Sequence, residues 1–73
     1  MTEKDFLTIV ADELMIAPEA IGLDSEFRTI PTWTSLNSLL VVSRLHEETG
    51  YMISANDLAN SKTLGELFDL IQS

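Results

Sequence analysis

The chain has 73 residues, which is enough for one small domain that buries about 60% of the surface of its unfolded form. A hydrophobic share of 45% and a charged share of 22% exclude general disorder, and the absence of cysteine excludes disulfides, thiolate metal sites and a cysteine nucleophile. Twelve Asp and Glu against four Lys and Arg give a net charge of −8, which disfavours nucleic acids and anionic membranes and favours basic protein partners.

The N-terminal part of the chain predicts one helix followed by a long connection. Thr2 with Asp5 three residues later is typical of a helix start, and Pro18 is expected to stop any continuation. Between them, residues 3–15 carry apolar side chains at helical spacing: Phe6, Ile9, Val10 and Leu14.

Residues 16–34 are rich in Pro, Gly, Ser, Thr and Asp and predict a loop. The segment 18–21 is suited to a single helical turn, because proline is favoured at the first helical position. We expect the loop to be attached to the core by its apolar residues, which are Ile21, Leu23, Phe27, Ile30 and Trp33.

Three more helices are predicted in the C-terminal half. Residues 35–49 contain no Gly or Pro and are followed by Gly50, a favourable residue just after a helix. Ser54 with Asp57 predicts a short helix over about 55–60, and Thr63 with Glu66 forms a complete capping-box pattern before a fourth helix. The pattern predicts an all-α single domain over 1–73, a four-helix bundle with a short third helix and a long first loop.

The apolar residues of the second helix predict which of its faces is buried. At about 100° per residue, Leu39, Val42 and Leu45 lie on one face, which is predicted to be the core face. Val41 and Thr49 flank this face. Leu36 and Leu40 lie away from that face as an i, i+4 pair. They are either exposed or covered by the long loop, and Met52 and Ile53 are expected in the core.

No sequence pattern for a common enzyme is present. The chain lacks a Gly-rich phosphate loop, a nucleophile elbow, a zinc-protease HExxH pattern and a calcium loop, and its one histidine, His46, is interpreted as a solvated helix residue. Ser35 stands out because it begins the second helix. Either Thr34 or Ser35 serves only as a helix cap, or Ser35 carries a phosphodiester that the helix N-terminus stabilises.

The order of several motifs resembles that of the acyl carrier proteins of the phosphopantetheine-binding family. The resemblance runs nearly end to end and rests on these segments: 18–21 (PEAI), 25–28 (SEFR), 34–36 (TSL), 45–50 (LHEETG), 53–58 (ISANDL) and 62–67 (KTLGEL). It implies a four-helix bundle of acyl-carrier type and a carrier rather than an enzyme.

The resemblance further implies the chemistry of the carrier. A phosphopantetheinyl transferase would move 4′-phosphopantetheine from coenzyme A onto Ser35, and the imported thiol would hold acyl cargo as a thioester for acyl-transfer or synthase enzymes. Helices two and three line the acyl-chain cleft in the family. We expect no bound metal and a monomer. Because no signal peptide or membrane-spanning run is visible, we also expect no membrane insertion and a cytoplasmic location.

Two departures from the family pattern bear on partner recognition. Thr34 replaces the usual Asp, and the usual acids of the second helix are replaced at four positions, Asn37, Leu40, Arg44 and His46, whereas Glu47 and Glu48 remain acidic. We therefore expect partner docking through Leu36 and Leu40, with Arg44 and Glu47 at the rim, and a more apolar contact than in typical carriers.

The cargo and pathway stay open at this point. Fatty-acid, polyketide or related biosynthesis is the first hypothesis, and an aminoacyl or peptidyl carrier is the second. The third is an unmodified acidic helical interaction module in which Ser35 is only a cap.

Overall fold

A computed structural model describes residues 1–72 and shows four α-helices with no strand in that range. The helices are α1 (Glu3–Leu14), α2 (Ser35–Thr49), α3 (Ala55–Asn60) and α4 (Leu64–Gln72). The all-α prediction and the positions of all four helices are confirmed. Over residues 1–72, no helix combines the length and apolar character needed to cross a membrane.

The helix ends follow the capping signals in the sequence. Thr2 Oγ1 accepts a hydrogen bond from Asp5 N at 3.1 Å, and Gly50 ends α2 with a φ of 79°. Ser54 and Asp57 form a complete capping box at the start of α3. α1 ends one residue earlier than predicted because Met15 adopts a left-handed conformation, with a φ of 59°, before Pro18 is reached.

A single core fills the space between the helices and the first connection. Its fully buried large side chains come from α1, the first connection, α2 and α4: Phe6, Val10, Leu14, Phe27, Val41, Leu45, Leu64 and Leu67. α3 has no fully buried residue and contacts the core through the partly buried Leu58.

The buried face of α2 differs from the predicted one. Val41 and Leu45 are fully buried and Val42 is nearly so, whereas Leu39 is 65% exposed. The prediction of Leu39 as a core residue is therefore wrong. The core face is rotated toward Val41, which lies one turn before Leu45 and shares its side of the helix, whereas Leu39 lies about 160° from Val41 around the helix axis.

The first connection contains two short 3₁₀ turns. The turn Pro18–Ala20 confirms the helical turn expected there, and the turn Phe27–Thr29 was not predicted. Phe27 is 1% exposed, and its ring centroid lies 4.7 Å from that of Trp33. Trp33 thus packs against the core.

The first connection also fixes the start of α4 by direct backbone contact. Gly65 N donates a hydrogen bond to Leu23 O at 2.7 Å, and a Cβ at Gly65 would lie only 2.8 Å from that same oxygen. Only glycine permits this approach. Leu64 N similarly donates to Ser25 O at 3.0 Å.

The segment between α2 and α3 has no regular secondary structure. Ile53 is buried as expected, but Met52 is 56% exposed, so its assignment to the core is wrong.

Candidate functional site

Ser35 is the first residue of α2 and is exposed to solvent. The preceding residue, Thr34, is the helix cap: its Oγ1 accepts a hydrogen bond from Asn37 N at 3.1 Å. This settles which of the two residues caps the helix. Among residues 1–72, the Ser35 hydroxyl has no hydrogen-bond partner.

The polar groups around Ser35 hold the start of α2 in place. Asn37 Nδ2 donates to Thr32 O at 2.8 Å and ties the helix to the connection before it. Ser38 Oγ donates to the backbone oxygen of Ser35 at 2.9 Å, so the hydroxyl of Ser38 is already engaged. The unbonded hydroxyl of Ser35 is therefore presented on a fixed helix start.

The free N–H groups of the first helical turn add a positive end to this site. The backbone N–H of Asn37 donates to Thr34 Oγ1, and that of Ser38 donates to Thr34 O. The backbone N–H groups of Ser35 and Leu36 have no partner within the described part of the chain. Unpaired N–H groups and the macrodipole together stabilise an anion at a helix N-terminus.

The surroundings of Ser35 in the chain carry no ionisable side chain. From Thr29 to Ser43 there is no Asp, Glu, Lys, Arg or His, although the whole chain has a net charge of −8. The first charge on α2 is Arg44, nine residues after Ser35 and thus about 13 Å further along the axis.

Three leucines cover the exposed side of α2 next to Ser35. Leu36 and Leu40, for which the sequence left exposure and cover by the long loop as alternatives, are 67% and 43% exposed, so the long loop does not bury them. Leu39 joins them, and it is the i+4 neighbour of Ser35 on the helix surface. The sequence contained this signal, because a helix face centred between Leu36 and Leu40 includes Leu39.

The two charged residues predicted beside these leucines differ in their contacts. Arg44 Nη1 lies 2.7 Å from Asp12 Oδ2 and 3.2 Å from Glu13 Oε1, so its guanidinium is held against α1. The hydrogen bonds from Arg44 to these carboxylates raise its pKa above the ordinary arginine value. Glu47 is exposed.

The structure also locates three open surface cavities of about 300 to 420 Å³. They lie between α1 and α2, between α3 and α4, and between α1 and the turn at Pro18, and none of the three is lined by Ser35. His46 is exposed, as the sequence indicated.

Comparison with known proteins assigns this arrangement to a family. The family model described as "Phosphopantetheine attachment site" matches residues 4–71. The chain is 30% identical to the acyl carrier protein of Chlamydia trachomatis serovar D over 70 residues, covering 96% of this chain and 91% of that protein. It is 32% identical to the acyl carrier protein of Renibacterium salmoninarum over 65 residues, covering 89% and 80% of the two chains.

Proposed function

This chain belongs to the acyl carrier proteins of the phosphopantetheine-attachment family, and we propose that Ser35 is the residue that carries the prosthetic arm. Proteins of this family are carriers rather than enzymes, and the group attached to them covalently is 4′-phosphopantetheine. The observation that carries the proposal is the exposed, unbonded hydroxyl of Ser35 at the first position of α2.

The residues around Ser35 fit a phosphodiester. The unpaired N–H groups of Ser35 and Leu36 lie at the positive end of α2, and no acid between Thr29 and Ser43 would repel the phosphate. Ser38 is a poorer acceptor, because it lies inside the helix and its hydroxyl is bonded to the Ser35 carbonyl.

The attachment reaction needs only the hydroxyl from this chain. The bond from Ser35 Oγ to phosphorus forms as the pyrophosphate bond of coenzyme A breaks, and adenosine 3′,5′-bisphosphate leaves. The serine proton passes to a base of the phosphopantetheinyl transferase. The thiol of the arm supplies the thioester chemistry for a chain that has no cysteine.

The cargo belongs to the same proposal. The arm would carry acyl intermediates for acyl-transfer or synthase enzymes of fatty-acid, polyketide or related biosynthesis, with a monomeric carrier in the cytoplasm. The acyl carrier proteins among its relatives support acyl cargo over aminoacyl or peptidyl cargo. The mass of the thioester that forms on the carrier in cells would distinguish acyl cargo from aminoacyl or peptidyl cargo.

Partner enzymes would contact the exposed side of α2 near Ser35. Leu36 and Leu40 form the centre of this contact, and Arg44 and Glu47 lie further along the helix at its rim. The support is positional: Leu36 follows Ser35 directly, and Leu40 is one turn beyond Leu36.

The test is the intact mass after incubation with coenzyme A and a broad-specificity phosphopantetheinyl transferase. The natural chain is expected to gain one phosphopantetheine, and Ser35→Ala is expected to gain none. Ser38→Ala is the matched control and keeps the mass gain. Modification of the Ser35→Ala variant would refute the assignment.

A further inference from the structure

The leucines beside Ser35 form an exposed apolar surface in a part of the chain without charge. We call Leu36, Leu39 and Leu40 the leucine surface; their exposures are 67%, 65% and 43%. Isolated exposed leucines are ordinary, but three on one helix face, at i, i+3 and i+4, form a continuous apolar area.

The leucine surface lies beside the hydroxyl that a partner enzyme must reach. An enzyme that acts on the Ser35 hydroxyl must bring its own atoms within bonding distance of Oγ. Because Leu39 is the i+4 neighbour of Ser35 and Leu36 follows it directly, we expect the same enzyme to contact the leucine surface.

The charged residues of α2, Arg44, Glu47 and Glu48, all lie in its last two turns, far from Ser35. Arg44 is about 13 Å along the axis from Ser35, which exceeds the Debye length of about 8 Å at physiological ionic strength. Its guanidinium is also already paired with Asp12 and Glu13 on α1. Arg44 therefore stays at the rim of the contact, with its charge already paired.

From these observations we propose that the leucine surface selects a phosphopantetheinyl transferase whose docking face is apolar and uncharged, in preference to one whose docking face is basic. The inference rests on the proposed function and extends it by naming the chemistry of the partner. Charge complementarity supports it, because a basic face would find no acid between Thr29 and Ser43 to pair with. The twelve acids of the chain all lie outside that segment.

The experiment compares two phosphopantetheinyl transferases, one with an apolar docking face and one with a basic docking face. The natural chain is expected to show a kcat/KM about tenfold higher with the apolar-faced enzyme. With that enzyme, kcat/KM is expected to change less than about twofold between about 20 and about 300 mM NaCl. A faster reaction with the basic-faced enzyme would overturn the proposal, as would a rate that falls steeply with salt.

Variants test whether the leucines are responsible. Leu39→Glu and Leu40→Glu are each expected to lower kcat/KM with the apolar-faced enzyme about tenfold, mainly through KM, and to shift the preference toward the basic-faced enzyme. Met15→Glu is the matched control, since it also replaces an exposed apolar residue by an acid but lies at the end of α1, and it is expected to leave both rates unchanged. Equal effects of all three variants would overturn the proposal.

Two further outcomes separate the alternatives. Light scattering is expected to show the same mass for the natural chain and Leu39→Glu. A dimer that Leu39→Glu dissociates would assign the leucine surface to a second copy of the chain and overturn the proposal. If neither transferase modifies the natural chain, the proposed function itself fails and the inference falls with it, whereas modification without preference overturns only the inference.

Discussion

Thr34 and Ser35 divide two tasks that the sequence alone leaves to either residue. Thr34 accepts the hydrogen bond from Asn37 N and caps α2, which leaves the Ser35 hydroxyl unbonded and exposed. Replacement of the family's Asp by Thr34 keeps the cap and removes a negative charge from beside the proposed attachment residue. At the residue scale, the cap supports the helix and leaves the neighbouring hydroxyl free for the proposed attachment.

This division predicts different effects of two alanine substitutions on stability. Thr34→Ala is expected to lower the free energy of unfolding by about 1 kcal/mol, because Asn37 N loses its partner. Ser35→Ala is expected to change the free energy of unfolding much less, by about a few tenths of a kcal/mol. Thr34→Ser is the control that retains the cap. Chemical denaturation measures all three, and a Ser35→Ala loss equal to that of Thr34→Ala would contradict the division.

At the scale of the elements, α3 has only the partly buried Leu58 against the core, so contacts at its C-terminal end add to its attachment. The guanidinium of Arg28 lies 4.7 Å from the centre of the Phe27 ring and donates to the carbonyls of Leu58 and Ser61 at the C-terminal end of α3. One side chain of the first connection thus holds a helix that begins 27 residues later.

Arg28→Met should therefore loosen α3 more than the rest of the fold. Amide hydrogen exchange in residues 55–61 is expected to become about tenfold faster, because the two carbonyls lose a charged donor. Arg44→Met is the control, since Arg44 pairs with α1 and its loss should leave exchange in α3 unchanged. Unchanged exchange in Arg28→Met would contradict this role.

The start of α4 predicts a dependence of stability on pH. Glu66 Oε1 accepts hydrogen bonds from Lys62 N and Thr63 N, each at 2.9 Å, and these bonds lower the pKa of Glu66 below its ordinary value. A carboxyl whose pKa is lowered by folding stabilises the fold above its unfolded pKa of about 4 and loses that contribution as the pH falls through its folded value.

The matching experiment compares the melting temperatures of the natural chain and Glu66→Gln from pH 7 down to about pH 3. The natural chain is expected to melt higher at pH 7, and the difference should shrink as the pH falls. Glu47→Gln is the matched control, because it removes one exposed carboxylate without removing a helix cap. A difference that stays constant over the range would show that the caps do not depend on the charge of Glu66.

The elements differ in how far the sequence predicts them. The helices were predictable because their starts carry local capping signals, such as Ser54 with Asp57, and the structure forms these bonds. Leu39 was misassigned because helical spacing alone does not fix which way an apolar α2 faces. The contacts of Arg28 with α3 and of Arg44 with α1 join residues 30 to 33 positions apart, and no local pattern marks such pairs.

At the scale of the whole molecule, a net charge of −8 is held within a radius of gyration of 10.7 Å. The acids lie outside the segment 29–43, so the mutual repulsion and the proposed attachment site occupy different parts of the chain. The segment of chain that contains Ser35 is thus uncharged, although the molecule as a whole is strongly acidic.

This repulsion predicts that salt stabilises the fold near neutral pH. The melting temperature is expected to rise between about 10 and about 200 mM NaCl, because the Debye length shortens from about 30 Å to less than about 10 Å. Thermal melts followed by circular dichroism measure it. A melting temperature that is flat or falls with salt would show that self-repulsion does not limit stability.

The central claim is that Ser35 carries the prosthetic arm, and one measurement tests it most directly. Trypsin cleavage after Arg28 and Arg44 releases the peptide 29–44, which contains Ser35 together with the other hydroxyls of the site, namely Thr29, Thr32, Thr34, Ser38 and Ser43. After reaction with coenzyme A and a phosphopantetheinyl transferase, fragmentation of this peptide in a mass spectrometer is expected to place the whole added mass on Ser35. Its location on any other residue, or on another peptide, would contradict the account.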